Sequence, residues 1–204
     1  MKIVLASNNA GKLAELQTLF APLGMTLVRQ SELNIPEAAE PFKTFVENAL
    51  AKARHAAHPS GMPALADDAG LCVDAFGGQP GVDTAYYATR FGYPKGDDTN
   101  VSALLEQMQG ITNRRAAMVS TLVALRSADD PEPLVAVGRV VVQITPERRG
   151  SNGFGFDPVM FLPEFGKTFA ELPPEVKNAN SHRGRAAQAM LALMRERWLD
   201  SAAP

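Results

Sequence analysis

The run Ala64-Leu65-Ala66-Asp67-Asp68-Ala69-Gly70-Leu71 sets two adjacent carboxylates inside an otherwise apolar stretch, with Pro63 just before it. Strand-like residues on both sides put the pair where a strand ends or bends. Like charges this close are costly unless a metal or a cation offsets them. Taken alone, the dipeptide reads more plainly as an Asx turn with both carboxylates in water. Glu40, Asp67 and Asp68 are the acidic residues best placed to meet. Two or three carboxylates together with phosphate oxygens make a Mg²⁺ site, because this hard ion takes oxygen ligands and keeps several waters. A carboxylate that the metal does not fully use can take the proton of an attacking water.

Upstream, Ser7-Asn8-Asn9-Ala10-Gly11-Lys12 lacks the P-loop signature, yet it carries a hydroxyl, two amides and a lysine suited to polyphosphate. Its plainer role is helix capping, with Lys12 on a solvated face. Downstream, Gly153-Phe154-Gly155-Phe156-Asp157-Pro158 brackets an aromatic ring with glycines. The backbone can then approach a ligand closely, and the open ring can stack on a nucleobase. A core aromatic pair with a β-bulge is the competing reading. Ser181-His182-Arg183-Gly184 brings two donors to the start of the last helix, with Lys167, Lys177 and Asn178 before it. By itself a His-Arg pair defaults to the surface.

These residues need elements to hold them. Lys2–Ala6 reads as a buried strand, Ser7–Gly11 as a turn, Lys12–Phe20 as a helix and Met25–Arg29 as a second strand, a βαβ-type opening. Backbone N–H groups at such a helix start favour phosphate. A helix is expected over Thr44–Ala57, a strand run over Ala64–Phe76, and glycine-rich turns over Gly77–Gly81. An irregular aromatic segment covers Val82–Asp98, and Asn100–Met108 is helical. Arg115–Arg126 and Leu134–Ile144 form a hairpin across Asp129-Asp130-Pro131. Gly153–Pro163 reads as a strand region and Ser181–Trp198 as a closing helix. The sheet is therefore mixed rather than purely parallel.

A chain of 204 residues with 46% hydrophobic and 21% charged content is long enough for one sizeable globular domain, 1–204, with room for two lobes around a cleft. The formal charge of −2 gives no bulk reason to expect nucleic acid or a membrane surface as partner. The single Cys72 excludes an intrachain disulfide and fits a reducing compartment, and no stretch reads as a signal peptide or membrane span, so a cytoplasmic protein is expected.

SNNAGK, FVENALAKA with LADDAGL, GSNGFGFDPVMF, and GKTFAEL with KNANSHRG occur together and in this order. The combination closely resembles the inosine triphosphate pyrophosphatase family over nearly the whole chain. The resemblance implies an α/β fold with an elongated mixed β-sheet flanked by helices, usually as a homodimer. It implies Mg²⁺-dependent attack of water at the α-phosphorus of dITP, ITP or XTP, which yields the monophosphate and pyrophosphate. Carried over by position, Ser7, Asn9 and Lys12 hold the triphosphate, with Asn8 beside them. Glu40 and Asp68 serve the metal with Asp67 in support, and Asp68 is the general base. Phe154 stacks on the purine within the Gly155-Phe156 loop, while Asp157, His182 and Arg183 line the base pocket. Lys52, Lys177 and Asn178 contact substrate or phosphate, and Ala69 adjoins the metal site.

Departures from the family pattern bear on substrate range. Ala69 stands where Ser or Thr is usual, Pro41-Phe42 where Thr-Gly is common, and Tyr86 where an arginine is expected, with Arg90 nearby. Val142 replaces a frequent glycine and Asn180 a hydrophobic residue. Two other readings remain: a Maf-like pyrophosphatase of pyrimidine or modified nucleotides, and a nucleotide-binding regulator without turnover. The GFGFDP and SHRG elements argue against the first, and retention of Lys12, Glu40, Asp67 and Asp68 against the second.

Overall fold

The fully apolar run Ile3-Val4-Leu5 is buried on both sides, as a strand covered on both faces must be. It forms β1 (Lys2–Leu5), followed by α1 (Ala10–Phe20) and β2 (Thr26–Arg29), which pairs parallel to β1. The computed structural model describes residues 1–199. The later elements are α2 (Phe45–Ser60), β3 (Ala64–Val73), α3 (Asp97–Gln107), β4 (Arg115–Leu125) and β5 (Leu134–Ile144). Then come β6 (Met160–Leu162), β7 (Lys167–Thr168), α4 (Pro174–Asn180) and α5 (His182–Met194). The strands form one seven-stranded sheet in the order β2-β1-β3-β4-β5-β6-β7. β1 pairs parallel with β2 and β3, while β6 pairs antiparallel with β5 and β7, so the sheet is mixed and flanked by helices. β4 and β5 are consecutive neighbours joined by a short connection, which only an antiparallel hairpin allows.

Packing divides the chain into two compact units. The first comprises Met1–Asp68, Ser120–Gly138 and the described chain from His182 to Leu199. Leu16 and Phe20 of α1 and Ala186, Ala187 and Met190 of α5 pack on Ile3, Leu5, Leu65 and Leu122. A second cluster sets the small face Ala49, Ala53, Ala56 and Ala57 of α2 against Val4, Ala64, Ala66 and Val123. Thr44 caps α2 through its side chain, and Gly61 ends it at φ +60°. Gly138 is a close approach: a Cβ there would lie 1.9 Å from the His182 carbonyl oxygen and 2.4 Å from the Ala186 nitrogen. Only glycine lets α5 seat on β5, and this seat fixes where His182 and Arg183 begin.

The second unit comprises Ala69–Val119 and Arg139–Ser181. Its core joins Leu71, Val73, Leu104, Met108, Val140, Val142, Phe156 and Phe169. Short 3₁₀ turns span Gly81–Phe91, the segment expected to be irregular.

Two expectations are corrected. The aspartate pair does not sit at a strand end or bend; it lies in the middle of β3, which runs unbroken for ten residues. The Asx turn is thereby excluded as well. Gly153–Pro163 is not a strand throughout. Only Met160–Leu162 is extended, because Gly153 at φ +80° and Gly155 at φ +62° turn the chain before it. The closing helix starts at His182, one residue after α4, and ends in a π turn over Arg195–Leu199. Among the described residues no helix is long and apolar enough to cross a membrane.

Candidate active site

In a pleated strand consecutive side chains point to opposite faces, so Asp67 and Asp68 meet different side-chain partners. Each has its own partners in the first unit.

Asp67 is fully buried. Its Oδ1 accepts from the Ser120 hydroxyl of β4 at 2.7 Å. Its Oδ2 accepts from Arg183 Nε at 3.0 Å and lies 3.0 Å from Arg183 Nη2 and 3.1 Å from Lys12 Nζ. Arg183 Nη1 in turn donates to Glu15 Oε2 at 2.6 Å. Burial alone would raise the Asp67 carboxyl. The Arg183 guanidinium and the Lys12 ammonium outweigh it and hold the group well below the usual carboxylate range. Burial would weaken the charge on Arg183, but Asp67 and Glu15 hold its pKa above the ordinary value.

Asp68 faces Lys52 of α2. Lys52 Nζ donates to Asp68 Oδ1 at 2.8 Å, to Glu40 Oε2 at 3.0 Å and to the Asp67 carbonyl oxygen at 3.2 Å. An ammonium has three N–H groups, and all are thereby engaged. Burial opposes the Lys52 charge, yet Asp68 and Glu40 outweigh it and raise its pKa. Burial pushes the Asp68 carboxyl up and Lys52 pulls it down; with Glu40 adding to the rise, the group ends above its ordinary value. Asp68 Oδ2 is buried and has no hydrogen-bond partner among the described residues. An orphaned carboxylate oxygen beside a second carboxylate, Glu40, is a hard-oxygen donor set. Among the described residues no three His, Cys, Asp or Glu side chains gather as a ready-made metal cage. A cation here would hold to these two carboxylates and complete its shell with water and phosphate oxygens, which is the habit of Mg²⁺.

The turn after β1 leads to the Asp67 cluster. Asn9 caps α1, its Oδ1 accepting from the Lys12 N–H at 2.9 Å, and Ser7 Oγ accepts from the Asn9 N–H at 3.2 Å. Capping and a phosphate role are thus compatible: the cap aims Lys12 inward, where its Nζ donates to the Asp67 carbonyl oxygen at 3.3 Å. Burial pushes the Lys12 ammonium down, and Arg183 and Lys52 add to this against the pull of Asp67. Asn8 turns instead to Glu37, donating to Oε1 at 3.2 Å.

In the second unit the glycine-bracketed loop is tightly held. Asp157 Oδ2 accepts from the Phe154 N–H at 3.0 Å and from Lys177 Nζ of α4 at 2.5 Å. Lys177 Nζ also lies 4.8 Å from the centre of the Phe154 ring, a cation–π contact. A Cβ at Gly153 would fall 2.0 Å from Asp157 Oδ2, so the clamp requires glycine. Phe154 is half-buried, whereas Phe156 is part of the core. Asn178 and Ala69 are half-buried, and His182 is buried at the start of α5 in the first unit. Tyr86, at the missing arginine, is exposed beneath Lys95, and Arg90 is engaged with Asp83 and Gln79.

Three clusters therefore emerge among the described residues: Lys12–Asp67–Arg183, Glu40–Lys52–Asp68 and Phe154–Asp157–Lys177. Sequence reasoning missed Glu15 and Ser120. Glu15 sits three residues after Lys12 on the same helix face, and Ser120 is a polar residue in an apolar strand, so each left a weak signal.

The Ham1 family model matches residues 3–193. The chain is 78% identical over 198 residues to the dITP/XTP pyrophosphatase of Paracidovorax citrulli, a match covering 97% of this chain and 100% of that one. It is 76% identical over 199 residues to the dITP/XTP pyrophosphatase of Albidiferax ferrireducens, covering 98% and 100%. A solved HAM1 protein from Coxiella burnetii superposes with a TM-score of 0.88 at 40% identity, covering 96% of this chain and 99% of that one.

Proposed function

The chain belongs to the Ham1 family, and from that premise we propose that it is a nucleoside triphosphate pyrophosphatase that acts on dITP, ITP and XTP, releases pyrophosphate and clears deaminated purines from the nucleotide pool. The observation that carries this reading is the buried Asp68 Oδ2, which has no hydrogen-bond partner among the described residues and lies beside Glu40 on a shared lysine. Its raised pKa makes Asp68, in its charged form, a better proton acceptor than an ordinary aspartate. Asp68 takes the proton of the water that attacks the α-phosphorus. The bond to pyrophosphate breaks, and the monophosphate is the other product.

Glu40 and Asp68 would hold Mg²⁺, which supplies charge neutralisation on the phosphates and a more acidic water. Lys52 keeps those two carboxylates together. Asp67, with its oxygens taken by Ser120, Lys12 and Arg183, anchors the two cations rather than binding the metal directly. Lys12 provides a point charge for phosphate oxygens, and Ser7, Asn8 and Asn9 shape the turn that receives the triphosphate. Phe154 is the stacking platform for the purine, with Asp157 and Lys177 bracing it and Asn178 alongside. His182 and Arg183 contribute donors that favour the 6-keto acceptor of hypoxanthine and xanthine over the amino group of adenine. Family membership also supports a homodimer, which light scattering reads directly, and the lone Cys72 fits the reducing cytoplasm.

The test is pyrophosphate release from dITP, XTP, dGTP, dATP and dTTP, with and without Mg²⁺. Metal-dependent release from dITP and XTP is expected, with dATP poor. Turnover confined to dTTP or UTP would overturn the purine assignment, and tight binding without turnover would overturn the catalytic one.

A further inference from the structure

The loop that carries Phe154 is held from two sides, and the family motifs include only one of them. The Phe154 N–H donates to Asp157, but the next N–H along the chain, that of Gly155, donates to Asp97 Oδ2 at 3.0 Å. Asp97 is the first residue of α3, distant in sequence from the loop and outside every motif identified above. An acid in the first turn of a helix ordinarily needs no further role, since it complements the helix dipole.

Two features go beyond that ordinary role. The loop before Phe154 is tied to the same turn of α3 a second time. Arg148 pairs with Asp98 Oδ1 at 3.0 Å, and its Nη2 donates to the Asp98 carbonyl oxygen at 2.8 Å and to Ser102 Oγ at 2.9 Å. The start of α3 is therefore fixed against the chain leading into the loop, and Asp97 is held at a set distance from Gly155. Asp97 and Phe154 also border one cavity of ≈ 340 Å³, walled further by Gly153, Gly155 and Arg148. That volume falls within the range of small-molecule sites, of about 300–1,000 Å³.

We infer that Asp97 is a positioning residue for base recognition. It fixes the left-handed turn at Gly155, and with Asp157 it clamps the two amides next to the Phe154 ring, so that the ring presents its face at a set angle. The inference rests on Phe154 being the purine platform. Positioning errors of this kind fall on binding of the base and spare the phosphate chemistry.

The experiment is steady-state hydrolysis of dITP by the full chain and by Asp97→Ala, Asp97→Asn and Phe154→Ala, with inhibition by pyrophosphate measured in parallel. Asp97→Ala should raise KM for dITP about tenfold, the loss expected of one charge-assisted hydrogen bond, while kcat and the pyrophosphate inhibition constant stay within about twofold. Asp97→Asn keeps an acceptor oxygen and should recover most of the KM. An unchanged KM in Asp97→Ala, an equal loss in kcat and pyrophosphate binding, or failure of Asp97→Asn to recover would each overturn the inference. Phe154→Ala separates the two claims. If it raises KM and Asp97→Ala does not, only the role of Asp97 falls; if it leaves KM unchanged, the platform reading falls first.

Discussion

Replacing Asp67 by asparagine keeps the shape of the side chain and removes its charge, and the cost can be worked from its surroundings. The carboxylate is fully buried and receives Ser120, two groups of Arg183 and Lys12. Asp67→Asn leaves Arg183 paired with Glu15 and Lys12 with a main-chain oxygen. Removing one member of a buried ion-pair network costs about 3–5 kcal/mol, because the two cations lose the carboxylate they share. For a chain of this size, about 2–4 °C per kcal/mol puts the fall in Tm at roughly 6–20 °C. The pH dependence follows from linkage. The folded pKa of Asp67 lies below its unfolded value, so its contribution is complete above the unfolded pKa and is lost as pH falls toward the folded one. Between pH 7 and pH 3 the gap between wild type and Asp67→Asn should therefore shrink by about 1 kcal/mol. Urea unfolding at both pH values measures this as a change in midpoint at constant m. A variant within about 1 kcal/mol of wild type at pH 7, or a gap that does not change with pH, would refute the reasoning.

Asp68→Asn should abolish pyrophosphate release while dITP binding persists by calorimetry; near-normal turnover would remove Asp68 as the base. In the wild type, activity should fall on acidification through a pKa above the ordinary aspartate value, since only the charged carboxylate accepts the proton. A kcat profile flat into strong acid would contradict this. Phe154→Ala should raise KM for dITP more than it lowers kcat, as expected of a stacking surface worth about 1–3 kcal/mol. Gly138→Ala drives a methyl group into the His182 carbonyl and should cost about 1–3 kcal/mol or more in chemical unfolding. A melting point unchanged by that substitution would show that α5 can move away freely.

Much of the fold was legible because it is locally encoded. Ile3-Val4-Leu5 is a strand buried on both faces, and Asn9 and Thr44 cap the helices that follow them. The Gly153–Pro163 segment, which reads as a strand and is not one, shows the limit. Its apolar residues suit a strand, but the left-handed Gly153 and Gly155 turn the backbone, with Asp157 holding the Phe154 N–H between them and Asp97 the Gly155 N–H. Asp97 lies 58 residues before Gly155, a distance local propensity does not register.

The aspartate pair shows the same division most clearly. The sequence by itself determined that two carboxylates stand in an apolar run, that lysines lie upstream, and that the motifs around them belong together. Only the tertiary structure decided what each aspartate meets. The pleat of β3 sends the two side chains to opposite faces, and the partners that await them come from 53 and 116 residues away for Asp67 and 16 for Asp68. Asp67 meets three donors that saturate it, and Asp68 meets one lysine and keeps an oxygen open. Charge and burial at that distance are set by folding, so neighbouring residues of identical chemistry end in unlike surroundings, one carboxylate filled with donors and the other with an oxygen open.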